Sequence, residues 1–259
     1  MNPIVILALF GVGLLLLVIR LFRKEVKPFP KKWGPILMKN VAYYRNLNTT
    51  DRVRFQSRMM VFLSEVSIEG IEVEVEDLDK VLIAASAIIP VFSFDEWHYN
   101  NLDYVLLYPE YFSEDYEYIQ DKSKTRIAGM VGTGHMSNRM IISRHALRKG
   151  FSNNKDKFNT AIHEFVHLID MLDGEVDGIP NIIMEHQYSI PWLDLIHQKI
   201  EEIYEGESDI RPYGATNQAE FLSVVSEYFF ERPDLFKANH PELYEMLSKA
   251  FQQNLITEK

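Results

Sequence analysis

One stretch of the sequence, Asn159 to Asp170, combines a helical hydrophobic pattern with a group of titratable side chains. It constrains the fold more than any other stretch. Apolar residues recur there at steps of three and four, as is typical of one buried face of an α-helix. They are Phe158, Ile162, Phe165, Ile169 and Leu172. Gly174 follows soon afterwards and indicates where the helix ends. The stretch therefore predicts an amphipathic helix with one face in the core.

The same helix carries His163, Glu164 and His167. The two histidines lie one helical turn apart and point the same way, so their imidazoles can bind a single ion. Catalytic zinc takes three protein ligands and a water, and Glu164 is placed to accept a proton from that water. This is the H-E-x-x-H pattern of zinc metallopeptidases. The alternative is a pair of surface histidines around a solvated glutamate, because short motifs also arise by chance.

The sequence contains no cysteine. This excludes disulfides, thiol catalysis and cysteine-bound zinc, so a metal site must be built from histidine, aspartate and glutamate. At 259 residues the chain is long enough for one sizeable domain with appendages. The third metal ligand must therefore come from elsewhere in the same domain.

Two carboxylates are candidates for that third ligand. No histidine follows at the spacing of the H-E-x-x-H-x-x-G-x-x-H class, and Asp170 stands where that class has glycine. Glu220 and Glu227 lie seven residues apart, on one face of a predicted helix. Asn217 and Glu220 also form a capping-box pattern. On local grounds Glu220 is therefore either a helix cap or a metal ligand.

The N-terminal region has a different character from the rest of the chain. Ile4 to Phe22 is apolar apart from two glycines and Arg20, which is long enough to cross a bilayer as a helix. The positive charges follow the apolar run, unlike those of a secretory signal. The positive-inside rule then places the body of the chain in the cytoplasm. We expect a single-pass membrane protein with a transmembrane anchor and basic segment at 1–26, a linker at 27–32 and the main domain at 33–259.

Charge limits the partners of that main domain. Beyond residue 32 the sequence has 21 basic and 36 acidic side chains, a net charge of −15. Such a domain would repel a phosphate backbone, so we expect no nucleic acid partner. The expected contacts are a peptide or protein substrate and, through residues 1–22, the lipid bilayer.

Apolar periodicity predicts the other elements of the domain. Helices are predicted at 33–67 with a break at 48–51, from residue 144, at 191–204, at 217–230 and after Pro241. Strands are predicted at 88–94, 104–108, 140–143 and, as an edge strand, 129–134. Residues 71–76 alternate as a strand does, although they also suit the approach to a helix over 78–87.

Three segments resemble a known family. His163–Asp170, 213–221 and 226–231 look like the zinc-dependent peptidase family of Mlc titration factor A. The segment 213–221 is also similar to the catalytic domain of anthrax lethal factor. Upstream, residues 82–85 and 89–92 and the pair Tyr108-Pro109 match the family as well, so the likeness covers about 33–255. The resemblance implies an α+β, mainly helical, zincin-like metallopeptidase domain with a small sheet.

The resemblance also assigns roles to residues. It implies that His163, His167 and Glu220 bind one zinc ion per chain, as in a gluzincin. Glu164 would be the general base. Tyr213 would stabilise the oxyanion, a role that suits a phenol because it donates a hydrogen bond where negative charge develops. Asp170 and Glu227 are expected to support the site from behind the ligands.

These observations predict a membrane-anchored zinc peptidase that uses zinc-activated water, with family likeness favouring aminopeptidase activity. The alternative is a catalytically silent, anchored binding or regulatory protein that keeps the zinc helix as a scaffold. Retention of Glu164 argues against it, because a scaffold needs no base. The known members of the family are soluble whereas this chain has the anchor-like segment, so their regulator binding is not carried over to this chain. A regulatory protein partner stays an open possibility.

Overall fold

The computed structural model describes residues 25–111, 127–132, 134–153 and 156–256. These residues form a mainly helical structure with one small sheet, which confirms the predicted α+β class. The predicted transmembrane segment, residues 1–22, lies outside the described residues. Among the described residues, no helix has the length and apolar character that crossing a membrane requires.

Helices account for most of the described chain. They are α1 (Trp33–Asn40), α2 (Ala42–Asn46), α3 (Thr49–Glu65), α4 (Asp77–Ile88), α5 (Arg144–Gly150), α6 (Thr160–Asp170), α7 (Ser189–Tyr204), α8 (Gln218–Glu231), α9 (Pro233–Asn239) and α10 (Pro241–Ala250). Short 3₁₀ turns lie at Gly134–Met136, Met171–Asp173, His186–Tyr188 and Pro212–Ala215.

The sheet consists of β1 (Ser67–Gly70), β2 (Tyr104–Tyr108), β3 (Gly129–Val131) and β4 (Arg139–Ser143). The strand order is β1-β2-β4-β3, with β1, β2 and β4 parallel and β3 antiparallel to β4. The predicted edge strand is thus confirmed for its first three residues. β3 leaves one side of its backbone unpaired within the described sheet.

The helix α6 lies in the middle of the fold. It packs against α4, α5, α8 and the edge strand β3. The ring of Phe165 contacts Phe62 and Tyr99 at centroid distances of 5.7 and 5.3 Å, so this helix is anchored by aromatic packing. Nine of its eleven residues are buried, including His163, Glu164 and Asp170. The polar residues of the motif are therefore held inside the protein rather than on its surface.

Side-chain caps fix where the key helices begin. The Asn159 side chain accepts a hydrogen bond from the Ile162 amide and caps α6, and the Asn217 side chain caps α8 in the same way. Asn48 caps α3, as the predicted break at 48–51 requires. The left-handed Gly174, with φ of +100°, ends the turn after α6 as predicted.

Two local predictions were wrong, and one that had two alternatives is decided. Residues 71–76 do not form a strand, because Glu72 has φ of +57° and the chain bends instead of pairing. The alternative, that they approach a helix over 78–87, is confirmed. A capping box between Glu76 and Asp79 then starts α4. The apolar run 88–94 is not a strand but the end of α4 followed by turns. The strand prediction failed because α4 is buried on most sides, so its sequence shows little helical periodicity there. Phe158 precedes the cap of α6 and is 45% exposed, so it is not part of the buried face.

Candidate metal centre

The two motif histidines converge on one point. Because they are four residues apart on α6, their rings lie on the same face, with centroids 4.7 Å apart. The His163 Nε2 and His167 Nε2 atoms are separated by 3.1 Å. His163 is 6% exposed and His167 is partly buried, so the pair lies below the open surface.

Glu220 reaches the same point from α8. Its Oε2 lies 3.0 Å from His163 Nε2 and 3.5 Å from His167 Nε2. The cap of α8 is made by the Asn217 side chain, which accepts from the Glu220 main-chain amide at 2.9 Å. The Glu220 carboxylate is therefore directed at the imidazoles, and the cap and the carboxylate contact coexist in the same residue.

These three atoms fit a metal ion. They are 3.0, 3.1 and 3.5 Å apart. Ligand atoms around tetrahedral zinc are about 3.3 Å apart when each bond is about 2.0–2.1 Å. Three lone-pair donors brought this close also repel one another unless a cation or a shared proton lies between them. The donor set of two imidazoles and one carboxylate thus suits a divalent metal of the zinc type.

Glu227 fixes the orientation of His163. The His163 Nδ1–H group donates to Glu227 Oε1 at 2.7 Å, which leaves Nε2 free to bind an ion. Glu227 is fully buried, and its other oxygen accepts from the Asn159 amide at 2.6 Å. Arg211 pairs with the same carboxylate and balances its charge. Two carboxylates of α8 therefore hold opposite sides of one imidazole.

The charges of these carboxylates dominate the titration of the site. Burial favours the neutral ring of His163, but hydrogen bonds to Glu220 and Glu227 outweigh it and raise the pKa of His163 to about 10. Burial would raise the pKa of Glu220, yet the two imidazoles hold it well below its usual range. Without a metal, the three groups thus retain a proton between them. The carboxylates thus favour a positive charge at this point.

Glu164 lies beside the cluster without joining it. Its side chain is 5% exposed, and burial raises its pKa although His163 and His167 act in the opposite direction. The edge strand passes directly over it at Gly129. A Cβ at this glycine would lie 2.6 Å from Glu164 Oε1, so only glycine allows the strand and the carboxylate to come this close. The β3 backbone thereby fixes the position of the carboxylate.

Tyr213 lies on the open side of the site. It belongs to the 3₁₀ turn Pro212–Ala215, is 52% exposed, and its ring centroid is 6.0 Å from that of His163. Burial and the Glu220 carboxylate raise the pKa of its hydroxyl to about 12, so at neutral pH it is protonated and available as a donor. The family resemblance, rather than the local sequence pattern, is what pointed to Tyr213, and its role stays a prediction.

Asp170 supports the site indirectly. Among the described residues, no hydrogen bond joins it to either imidazole. Its Oδ2 accepts from the Gly178 amide at 3.0 Å, while the Gly178 carbonyl accepts from Trp192 Nε1 at 2.7 Å. Gly178 in turn packs on the main chain of Gln218 at the start of α8. Asp170 therefore ties the end of α6, through the loop that follows α6, to the start of the helix that carries Glu220.

Sequence reasoning missed several residues that build the site. Arg211 pairs with Glu227, Asn159 contacts both Glu227 and Glu231, and Gly129 and Gly178 allow two close backbone approaches. The glycines carried a sequence signal, since each stands in a segment rich in turn residues. Arg211 carried none, because one basic residue in a loop gives no indication of its partner.

The chain is similar to known proteins over most of its length. Residues 19–252 match the family described as glucose-regulated metallo-peptidase M90. The chain belongs to this family. Mlc titration factor A of Escherichia fergusonii is 29% identical over 225 residues, which cover 83% of each chain. The uncharacterized protein slr2042 of Synechocystis sp. is 27% identical over 237 residues, covering 87% of this chain and 85% of that protein.

Membership in the M90 metallo-peptidase family supports a metallopeptidase and implies a metal, as the His163, His167 and Glu220 cluster independently does. The predicted relation to the family of Mlc titration factor A is confirmed. The likeness to lethal factor, the identity of the metal and the role of each site residue stay predictions.

Proposed function

We propose that the chain is a zinc-dependent peptidase with His163, His167 and Glu220 as the metal ligands. The observation that carries the proposal is the convergence of three ligand atoms within 3.5 Å from helices more than fifty residues apart in the chain, with an unligated Glu164 beside them. Bound zinc would polarise both the attacking water and the substrate carbonyl.

The residues of the chain then carry the proton transfers. Glu164 accepts the proton of the attacking water, and its buried position keeps it from competing solvent. The Tyr213 hydroxyl donates a hydrogen bond to the carbonyl oxygen as negative charge develops there. Glu164 next passes its proton to the amine that leaves. His163 keeps its orientation throughout because Glu227 holds Nδ1.

Substrate is proposed to lie along the edge strand. The free side of β3 runs over Glu164, so an extended peptide paired with β3 would bring its main chain to the site. The aminopeptidase-like mode stays a proposal that rests on family likeness. The relatives are named for the titration of Mlc, and a regulatory protein partner of this chain likewise stays a prediction.

The metal assignment is tested by zinc content. We expect one zinc ion per wild-type chain after dialysis. Glu220→Gln should bind zinc more weakly by over about 100-fold, because losing a direct ligand costs more than the roughly 10–100-fold caused by losing a partner behind a ligand. Metal analysis and chelator competition measure both quantities.

A matched control is available for that experiment. Glu242 is exposed on α10, so Glu242→Gln changes the same functional group away from the cluster and should keep wild-type zinc affinity. Full zinc affinity in Glu220→Gln would contradict the ligand assignment. Zinc loss in both variants would point to general unfolding, which circular dichroism of the same samples would reveal.

We also propose that residues 1–22 anchor the chain in a membrane, with the catalytic domain facing the cytoplasm. The support is the uncharged apolar run followed by six basic residues within 20–32. The full chain should sediment with membranes and resist extraction by high salt, and a reporter fused after Lys259 should be active in the cytoplasm. Extraction of the full chain by salt alone would contradict the anchor.

A further inference from the structure

A cavity of about 270 Å³ lies beside the metal cluster, behind the side chain of Arg211. It is bounded by the start of α6, the loop before the 3₁₀ turn of Tyr213, and one face of α8. Its lining residues are Asp156, Lys157, Phe158, Asp209, Ile210, Arg211, Val224 and Tyr228. We propose that this cavity binds one large apolar side chain of the peptide substrate. This inference rests on the proposed peptidase function.

The cavity lies close to the metal site, on the far side of Arg211. The Arg211 guanidinium carbon is 4.9 Å from the ring centroid of Phe158 and 5.6 Å from that of Tyr213. The same side chain places Nη2 at 3.3 Å from His163 Nδ1. One side chain thus separates the cavity from a metal ligand. An extended peptide advances about 3.3 Å per residue, so a side chain one or two residues from the cleaved bond reaches this far.

The chemistry of the lining favours an apolar ligand. Ile210, Val224 and Tyr228 are 3%, 3% and 1% exposed, which gives the cavity a buried hydrophobic floor. Four of the eight lining residues are charged, and these groups already have partners within the protein. Lys157 and the Tyr228 hydroxyl both donate to Asp209, at 2.5 and 2.7 Å. A charged substrate side chain would gain little there, whereas an apolar one would leave water for a hydrophobic surface.

Asp156 does not change this balance. It accepts hydrogen bonds from Asn153 and from the Phe158 amide, at 3.0 and 3.4 Å, so its carboxylate serves the turn before α6. Around the described cavity, the charges are therefore paired within the protein. What remains accessible is mostly the rings and aliphatic carbons.

The exposure of Phe158 supports the same conclusion. A phenyl ring that is 45% exposed directly before a buried helix contributes less to the core than its size allows. The ring contacts Arg211 on one side and lines the cavity, so its remaining exposed surface can contact a bound side chain. The volume of about 270 Å³ lies just below the range of about 300–1,000 Å³ for pockets that hold whole small molecules, so one large side chain has room there.

The test uses zinc-loaded full-length protein and peptide reporters that differ only in having phenylalanine or glycine at one position. We expect kcat/KM for the phenylalanine peptide to exceed that for the glycine peptide by at least about tenfold at one position within two residues of the cleaved bond. Phe158→Ala should reduce this ratio by about tenfold. Phe158→Leu should restore most of it, because leucine keeps an apolar surface at the opening.

A control variant separates this effect from a general loss of surface hydrophobicity. Ile190 is 74% exposed on α7 and does not line the cavity, so Ile190→Ala should keep the wild-type ratio. An active enzyme that shows no preference at any position would overturn the inference. A preference that Phe158→Ala leaves intact would overturn it as well.

Failure of the peptidase function itself gives a different result. If wild-type protein hydrolyses no peptide, the same two peptides are tested for equilibrium binding by calorimetry. Tighter binding of the phenylalanine peptide, lost in Phe158→Ala and kept in Ile190→Ala, would support the cavity while refuting the activity. Equal binding of both peptides would refute the cavity.

Discussion

Replacing Glu164 with glutamine is expected to lower kcat for peptide hydrolysis by about 10²–10⁴-fold, the range that general acid–base groups contribute. Glutamine keeps the size of the side chain but cannot accept the proton. Glu164 is not one of the three convergent ligand atoms, so the variant should bind zinc as the wild type does. Turnover of a short-peptide reporter and zinc content, measured on one preparation, check both statements.

The variant Glu201→Gln provides the control for this experiment. Glu201 is exposed on α7, and the same chemical change there should leave kcat within about twofold of wild type, as surface substitutions usually do. Unchanged turnover in Glu164→Gln would refute the base assignment. Loss of zinc together with loss of turnover would instead indicate that Glu164, packed beneath the backbone of Gly129, keeps the three metal ligands in position.

Replacing Gly178 with alanine should destabilise the fold by about 2–5 kcal/mol. Its φ of +75° costs an L-residue about 1–2 kcal/mol. A Cβ there would also lie 2.3 Å from the Gln218 carbonyl oxygen, and such overpacking adds about 1–3 kcal/mol. Because Gln218 begins the helix that carries Glu220, zinc affinity should fall too. Urea unfolding of the metal-free protein and chelator competition measure the two effects.

Gly206 offers a closely matched comparison. It also has φ of +75°, but a Cβ there would meet no atom within 4 Å. Gly206→Ala should therefore show only the backbone term of about 1–2 kcal/mol and keep wild-type zinc affinity. The difference between the two variants isolates the contact with α8. Equal destabilisation by both would mean that the loop around Gly178 moves away from α8 at little cost.

The parts of the fold with strong local signals could be predicted from the sequence. The helix α6 was predicted from its apolar periodicity and from the glycine that follows it, and both features are present in the structure. The strands β2 and β4 were found because their residues are β-branched, aromatic or apolar. Local chemistry was sufficient in these segments because it agreed with the tertiary environment.

The sequence was misleading where tertiary contacts decide the backbone. Alternating glutamates at 71–76 satisfied the pattern of a strand, yet the positive φ of Glu72 directs the chain away from a partner. Phe158 matched the helical period but lies outside the cap. The contacts of Glu227 with Asn159 and Arg211 join residues 68 and 16 positions apart. Periodicity cannot report such pairs, because it describes only neighbours along the chain.

The helix α8 carries both Glu220 and Glu227, one in its first turn and the other two turns later. A rigid rod of this kind transmits any rotation or axial slip to both carboxylates at once, on opposite edges of the same imidazole. Substitutions that change the volume of its buried aromatic residues, such as Phe221 or Phe229, should therefore weaken metal binding before they unfold the protein. The positions of both carboxylates relative to His163 thus depend on how tightly α8 packs against the rest of the protein.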